Sequence, residues 1–424
     1  MTVCTDGCFG GHGAWCAECA AERRGADALP RGTVVAGYAM GRVLGRGGFA
    51  YTYLARDVRL GKVVAVKEFM PQDLAIRSLA GGGVTARSAS DDSLYATLLD
   101  AFVTEARRLA QLRHRGIVEV LRLEEARGTA YLVMPYLPGE TVWTRHRARQ
   151  QARRPWRLGE VLALLSPISA ALEYVHGQVP PLIHRDIKPD NIFIVRDPEA
   201  SGGERAMLLD FGAAKEVWHT AVRSTRRTDG LQFSSRGFSP LEQVRGGRQG
   251  PATDVYALSA TIYLLLTGEA PPDVLDRLDP ARDPLVPATR LRADLPEGAW
   301  VAVRAGLAVR ANERTASVRA LLDDLQMAVD KLGGAPASPG AAKRRPTAAT
   351  ASLLRKTVNA ARRSLAAAIT PAETAVKVAM AAIRFAVGAI MLIIVGTCTV
   401  NLVRQQITPA LGSAGQRPPA LRAP

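Results

Sequence analysis

The stretch "LIHRDIKPDNIFIV", Leu182–Val195, decides how this chain is interpreted. It sets Asp186, Lys188 and Asn191 in one short polar loop between two apolar segments. A carboxylate there can accept a hydroxyl proton, a neighbouring ammonium can steady a phosphoryl group in transfer, and an amide oxygen can bind Mg²⁺. These residue types at this spacing therefore indicate phosphoryl-transfer chemistry.

Two further segments fit the same chemistry. Downstream, Asp210-Phe211-Gly212 follows the apolar run "AMLL", which places a carboxylate that can bind a metal at the end of a predicted strand. Upstream, "LGRGGFAYTYLARD" (Leu44–Asp57) predicts a strand, a glycine-rich turn and a strand, and such a turn lets backbone N–H groups approach a phosphate. Because Ala50 replaces the third glycine of a G-x-G-x-x-G pattern, this turn alone leaves nucleotide binding and a simple tight hairpin both open.

The surrounding patterns predict the fold class. "KVVAVKEF" (Lys62–Phe69) and "TAYLVMPYL" (Thr129–Leu137) predict strands, and "LLDAFVTEARRLAQL" (Leu98–Leu112) predicts an amphipathic helix. Further helices begin with "VLALLSPISAALEYVHG" (Val161–Gly177). A strand-rich first part followed by a helix-rich second part predicts an α+β protein with two lobes over residues 38–331.

Taken in order, the glycine-rich turn, V-A-V-K (Val64–Lys67), H-R-D-I-K-P-D-N and D-F-G resemble the protein kinase signature set. The resemblance covers roughly residues 38–330 and is closest to bacterial eukaryotic-type (Hanks-type) Ser/Thr protein kinases. Lys188 fits Ser/Thr kinases, since tyrosine kinases usually carry a different residue there. The resemblance implies a bilobal protein kinase-like fold, the cofactors ATP and Mg²⁺, and transfer of the γ-phosphate to Ser or Thr of protein substrates.

The resemblance also implies a role for each matching residue. Lys67 is expected to contact the α- and β-phosphates and to pair with Glu105, and Asp186 to deprotonate the substrate hydroxyl with Lys188 beside it. Asn191 and Asp210 are expected to hold Mg²⁺. The other expected ATP-binding positions are Leu44, Gly45, Arg46, Gly47, Gly48, Phe49, Ala50, Thr52, Ala65, Met134, Pro135 and Leu137.

Further positions have structural or regulatory roles in the family. Glu242 of "SPLEQ" is expected to pair with Arg314 of "NERTAS", and Asp254 to brace the catalytic loop. The loop from Ala213 to about Ser239 contains Thr225 and Thr228 among arginines, as candidate phosphorylation sites. A homodimer that phosphorylates itself in trans is the corresponding partner expectation.

Two other functional classes stay open from the sequence. An inactive pseudokinase could serve as a membrane scaffold, although Lys67, Glu105, Asp186, Asn191 and Asp210 are all present. A small-molecule phosphotransferase on the same fold is disfavoured, because "SPLEQ" and the preceding loop resemble a platform for protein substrates.

The N-terminal segment, residues 1–30, contains four of the five cysteines. Cys4, Cys8, Cys16 and Cys19 form two close pairs, a pattern that predicts one tetrahedral Zn²⁺ site, with His12 as a possible substitute ligand. Reduced cysteines without a metal and redox-sensing disulfides are the alternatives. The absence of cysteine from residues 38–331 suits a reducing cytosol, and no secretory signal pattern is present.

The net charge of +16 is concentrated near the C-terminus. Residues 332–384, a basic juxtamembrane linker, contain nine Lys and Arg against one Glu, and 385–403 is an uncharged apolar run. This pattern predicts a transmembrane helix over 385–403 in the inner membrane, a cytoplasmic kinase domain and a short external tail over 404–424. A buried or membrane-surface helix is the alternative, and a nucleic-acid partner is not expected because the basic block adjoins an apolar run.

Overall fold

The protein is described here by a computed structural model, in which the described residues are 6–9, 16–20, 22, 25, 27–78, 82–200, 202–212 and 236–333. Several predicted features lie outside these residues: Cys4, Thr225, Thr228, nearly all of the 332–384 linker, the 385–403 span and the 404–424 tail.

The first part of the structure, called the N-lobe, is built from strands. Its strands are β1 (Val34–Val35), β2 (Tyr38–Arg46), β3 (Ala50–Asp57), β4 (Val63–Phe69), β5 (Ala75–Arg77), β6 (Val84–Ala86), β7 (Arg122–Ala126) and β8 (Thr129–Pro135). An antiparallel sheet has the order β1-β2-β3-β4-β8-β7, and β5 pairs with β6 separately. The predicted strands "KVVAVKEF" and "TAYLVMPYL" are confirmed as β4 and β8, because their β-branched and aromatic residues pack well on a pleated surface.

Helix α2 (Asp92–Leu109) packs against this sheet. Its apolar face buries Leu98 and Phe102, and the ring of Phe102 lies 5.3 Å from the ring of Phe69 on β4. The helix starts six residues before the predicted Leu98, and its first turns bury Tyr95, which lies on the same face as Leu98 and Phe102. An acidic residue, Asp92, lies in that first turn, where the positive end of the helix dipole favours it.

The second part, called the C-lobe, is mainly helical. Its helices are α3 (Val142–Gln151), α4 (Leu158–His176), α5 (Leu241–Arg245), α6 (Pro251–Thr267), α7 (Ala288–Leu291), α8 (Glu297–Gly306) and α9 (Val318–Gly333). The three-stranded sheet β11-β10-β9 joins β9 (Gly139–Thr141), β10 (Ile192–Arg196) and β11 (Glu204–Leu208). This arrangement confirms the predicted α+β fold with a strand-rich and a helix-rich lobe.

Helix α6 forms the centre of the C-lobe. Every residue from Thr253 to Leu266 is buried, which agrees with a helix that is apolar on all sides. Helix α8 crosses it closely at Gly306, where an added Cβ would lie 1.9 Å from Oγ of Ser259. Burial along its length and the close approach of α8 therefore hold α6 firmly inside the C-lobe.

One described helix, α4, has the length and apolar composition of a membrane span. Half of its apolar window is buried inside the C-lobe, where α4 contacts α6, α9 and β11. We interpret α4 as a core helix of this lobe.

Candidate active site

The loop that contains Asp186 is fastened to the buried carboxylate of Asp254 at the start of α6. Oδ2 of Asp254 accepts a hydrogen bond from the backbone N–H of His184 at 2.8 Å, and Oδ1 accepts one from that of Arg185 at 2.9 Å. Nε2 of His176 lies 2.8 Å from the same Oδ2. Asp254 therefore occupies the bracing position that the sequence assigned to it.

Arg185 adopts a left-handed backbone conformation with φ of 67°. A non-glycine residue in this region has a cost on the order of 1 kcal/mol or more, which the surrounding contacts must offset. The Asp254 bond supplies one such contact, and the side-chain amide of Gln243 donates to the Arg185 carbonyl at 2.7 Å. The loop backbone is thus held from both sides next to Asp186.

His184 joins this loop to the segment around Asp210. The N–H of Asp186 donates to its Nδ1 at 3.3 Å, so Nε2 carries the ring proton and donates to the Leu209 carbonyl at 2.9 Å. Burial lowers the pKa of His184 against the opposing effect of Asp254 and Asp186, in agreement with a neutral ring. The ring also packs on Phe211, with 4.4 Å between centroids. A neutral histidine therefore sets the spacing of the two carboxylate segments.

Asp186 lies among the polar residues that were predicted with it. The side-chain amide nitrogen of Asn191 donates to the Asp186 carbonyl at 2.8 Å and also to its carboxylate. Nζ of Lys188 lies 3.8 Å from Oδ1 of Asp186. With the amide nitrogen used in this way, the amide oxygen of Asn191 remains as the group that can bind a cation.

Lys67 on β4 forms its close ion pair with Asp210, at 2.8 Å between Nζ and Oδ1. Burial alone would lower the pKa of Lys67, but the negative charges of Asp210, Glu105 and Asp186 outweigh it, so this pKa is raised. The family resemblance also pairs Lys67 with Glu105. In the structure Glu105 lines the same cavity, and its negative charge contributes to the raised pKa of Lys67.

These residues surround a cavity of about 860 Å³ between the two lobes. This volume is within the usual range for small-molecule sites, roughly 300–1,000 Å³. All of the sequence-predicted ATP-binding positions line the cavity, together with Glu105, Asp186, Lys188, Asn191 and Asp210. The tertiary structure thus brings every predicted catalytic, nucleotide and magnesium residue to one place.

Strand pairing explains the position of the hinge, the segment 135–137 that leads from β8 towards the second lobe. Ala65 of β4 lies opposite Met134 of β8, and Val64 lies opposite Pro135. The chain leaves the sheet after Pro135, so the segment that joins the lobes passes along one edge of the cavity. Proline has no N–H, and therefore Pro135 can offer only its carbonyl to a nucleotide base, as the sequence indicated.

The glycine-rich turn is held by a contact that the sequence did not reveal. Within the turn, the N–H of Gly47 donates to the Ala50 carbonyl at 2.9 Å. Gln72, in the segment after β4, donates its backbone N–H to the carbonyl of Gly48 at 3.0 Å and its side-chain amide to the carbonyl of Gly47 at 2.7 Å. Its amide oxygen also accepts from Nε of Arg46 at 3.1 Å. Gln72 therefore fastens the turn over the cavity.

Other lining residues were also missed. They are Arg42, Phe102, Val118, Gly139, Thr141, Asp190, Phe193 and Leu209. For Phe193 the signal was present: Ile192 and Ile194 are buried on one face of β10, so the residue between them faces the other side. The remaining positions carry no comparable local pattern.

The predicted pair of Glu242 and Arg314 is present in the C-lobe. Nη1 of Arg314 lies 2.7 Å from Oε1 of Glu242, and the Arg314 guanidinium also donates to the carbonyl of Ala252 at 2.8 Å. The Thr253 hydroxyl donates to the same Oε1 at 2.9 Å. This buried network ties α5 to the start of α6, close to Asp254.

Of the predicted zinc ligands, Cys8, Cys16 and Cys19 fall among the described residues. All three are buried, and their sulfur atoms lie within 4.8 Å of one another. They pack beside β2 and β3 rather than inside the cavity.

Comparison with known proteins agrees with this geometry. The protein kinase domain family matches residues 38–279, which is more than half of the chain. Serine/threonine-protein kinase PknD of Chlamydia pneumoniae is 29% identical over 320 residues, which cover 70% of this chain and 31% of that protein. PknJ of Mycobacterium bovis is 33% identical over 251 residues, which cover 58% of this chain and 36% of that protein. The matched part thus spans about a third of these curated relatives.

Solved structures give the same result. The structure described as the PpkA-294 apo form is 30% identical to this chain, with a TM-score of 0.59. The match covers 71% of this chain and all of that one. The Mycobacterium tuberculosis PknI kinase domain, in its C20A_R136A double mutant, has a TM-score of 0.52 at 23% identity, which supports the fold alone.

Proposed function

We propose a function for this chain, which belongs to the protein kinase family. It transfers the γ-phosphate of Mg-ATP to serine or threonine of protein substrates. The observation that carries the proposal is the convergence of Lys67, Asp186, Asn191 and Asp210 on one cavity lined by the glycine-rich turn. An inactive relative would be expected to lack at least one of these groups, because catalysis in this family consists of positioning and charge neutralisation.

The donor chemistry of the site fits Mg²⁺. Asn191 can supply an amide oxygen and Asp210 a carboxylate that is 41% exposed, and oxygen atoms of these two types are ligands that Mg²⁺ prefers. When bound, the ion would neutralise charge on the phosphates. Lys67 would orient the α- and β-phosphates, in a position where its raised pKa keeps it charged.

The phosphoryl transfer itself would depend on Asp186 and Lys188. Asp186 orients the substrate hydroxyl and accepts its proton as the oxygen attacks the γ-phosphorus and the bond to the β-phosphate oxygen breaks. Lys188, 3.8 Å from Asp186, offers positive charge to the phosphoryl oxygens in transfer. ADP and a phosphorylated hydroxyl are the products.

The proposal extends to regulation and location. Thr225 and Thr228 would be phosphorylated in trans within a homodimer, where neighbouring arginines can bind the added phosphate. The apolar run over 385–403 would anchor the chain in the inner membrane with the kinase domain in the cytoplasm, and the excess of Lys and Arg in 332–384 supports that orientation.

The full-length chain incubated with Mg-ATP and casein as acceptor tests the activity. We expect phosphate on serine or threonine, mapped by mass spectrometry, from the wild type and from the exposed control variant Asp324→Asn. Asp210→Asn should give none. Equal phosphorylation by wild type and Asp210→Asn would contradict the proposed mechanism, and no phosphorylation by correctly folded wild type that binds Mg-ATP would favour a scaffold.

A further inference from the structure

Three cysteines of the N-terminal segment meet beside the N-lobe sheet. The sulfur atoms of Cys8, Cys16 and Cys19 lie within 4.8 Å of one another, and all three residues are buried. Tetrahedral Zn²⁺ with bonds of about 2.3 Å places its sulfur ligands about 3.8 Å apart. The three sulfurs are therefore close enough to share one ion.

The backbone around these cysteines also fits a metal site. The N–H of Cys19 donates to the sulfur of Cys16 at 3.4 Å, which fixes the position of this sulfur relative to the backbone of Cys19. The described part of the segment forms only a 3₁₀ turn (Asp6–Phe9) and the four-residue helix α1 (Ala17–Ala20). So short a segment cannot build a core of its own, and a bound metal is a usual source of the missing folding free energy.

We propose that Cys8, Cys16 and Cys19 bind a Zn²⁺ ion and that the metal-loaded segment braces the wall of the nucleotide cavity. Zn²⁺ suits thiolate ligands in tetrahedral geometry, and on binding each cysteine releases its proton to water. The proposed site consists of these three cysteines alone; Cys4 and His12, which the sequence also named, lie outside the described residues.

The N-lobe surface is shaped to receive this segment. Phe9 and the three cysteines form one apolar cluster with Ala39 of β2 and Leu54 of β3. At Gly41 an added Cβ would lie 3.0 Å from Cε1 of Phe9 and 3.1 Å from the Cys8 carbonyl, so a larger residue would push the segment away. The Arg56 guanidinium covers the Phe9 ring at 4.4 Å.

Two residues connect this cluster to the cavity. Leu44, just before the glycine-rich turn, and Tyr136, in the hinge, pack against the cluster and also line the cavity. Loss of the metal should free both residues to shift and so weaken nucleotide binding. This coupling rests on the proposed function, since it takes the cavity as the ATP site, whereas the zinc site itself does not.

Metal analysis of the full-length chain, purified without an affinity tag from zinc-supplemented cells, tests the site. We expect about one zinc per chain in the wild type and in Cys398→Ser, which changes the fifth cysteine as a matched control, and less than about 0.2 in Cys16→Ser/Cys19→Ser. Cd²⁺ exchanged into the wild type should give a thiolate-to-metal charge-transfer band. A wild type with less than about 0.2 zinc that neither Zn²⁺ nor Cd²⁺ restores would overturn the site.

A second variant tests the coupling. Phe9→Ala keeps all cysteines but loses the docking contact, so we expect about one zinc per chain and a Kd for Mg-ATP, from calorimetric titration, raised about threefold. An unchanged Kd with zinc retained would overturn the bracing role. If the chain binds Mg-ATP with these shifts but transfers no phosphate, the proposed function fails and this inference stands, because the titration does not depend on catalysis.

Discussion

The two loops that enclose the cavity are held in opposite ways. The catalytic loop is bonded through its backbone to Asp254, a fully buried carboxylate, while the glycine-rich turn is bonded to Gln72, a partly exposed amide. Hydrogen bonds to a charged group away from water are stronger than neutral ones that compete with solvent. We infer that the catalytic loop is the fixed wall of the site and the glycine-rich turn its adjustable cover.

Changes to the reacting groups should have the largest effect. Lys67→Met removes the cation that faces the phosphates, and Asp210→Asn removes a charged metal ligand, so each should lower the phosphotransfer rate by about 1,000-fold or more. The rate is measured with labelled ATP, and circular dichroism shows whether the fold is kept. Wild-type rates from either variant would remove that residue from the mechanism.

A change to Asp254, which anchors the catalytic loop, should have the next largest effect. Asp254→Asn sets an amide N–H₂ against a loop N–H, so we expect kcat to fall about 30-fold and the free energy of unfolding to fall by about 2 kcal/mol. KM for ATP should change less than about twofold, because this loop does not hold the adenine. Asp276→Asn, an exposed carboxylate in the same lobe, is the control, and equal kcat in the two variants would refute a fixed wall.

The pH dependence of stability tests the histidine that links the two carboxylate segments. Burial lowers the folded-state pKa of His184 below its unfolded value of about 6.5, so the unfolded state binds more protons as pH falls. Stability should therefore be complete above about pH 6.5 and decrease below it, by at most about 1.4 kcal/mol per pH unit for this group. Urea unfolding at several pH values measures the slope.

His184→Gln separates this group from the others, because burial also lowers the pKa of His114 and of His146. The variant should be less stable at neutral pH but lose less stability on acidification. An unchanged slope would show that His184 is not the neutral link inferred from its hydrogen bonds.

A change to Gln72, which holds the glycine-rich turn over the site, should have the smallest effect. Gln72→Ala removes the side-chain bonds to Gly47 and Arg46, each worth about 1 kcal/mol or less at a partly exposed position. We expect KM for ATP to rise about threefold and kcat to change less than about twofold. For Asp254→Asn the expectation is the reverse, a large fall in kcat with little change in KM. Gln326→Ala on α9 is the matched control. A kcat loss as large as that of Asp254→Asn would show that both loops are equally rigid.

Much of the site followed from local sequence. The spacing of Asp186, Lys188 and Asn191 fixes their neighbourhood, because residues so close along a loop cannot lie far apart. The β-branched residues of β4, and a strand-rich first part followed by a helix-rich second part, then predicted two lobes. Helix α2 was predicted with its start at Leu98, six residues too late, although the apolar spacing of Tyr95, Leu98 and Phe102 extends to an earlier turn.

Contacts between residues distant in sequence could not be predicted in the same way. Glu105 on α2 and Asp210 after β11 are both candidates for Lys67, and only the packing of three separate elements decides that Oδ1 of Asp210 comes to 2.8 Å from Nζ of Lys67. Likewise, nothing in the local pattern marks Gln72 as a ligand of the glycine-rich turn, because its partners come from backbone carbonyls that any residue carries.

The sequence by itself determined the kind of chemistry, because the groups that perform it sit in short motifs whose residue types have few other uses together. The tertiary structure alone decided how those motifs are held: Asp254 under the catalytic loop, Gln72 on the glycine-rich turn, and the cysteines of the N-terminal segment against β2 and β3. These contacts join residues distant in sequence, and their existence depends on side-chain packing and burial that no local periodicity records.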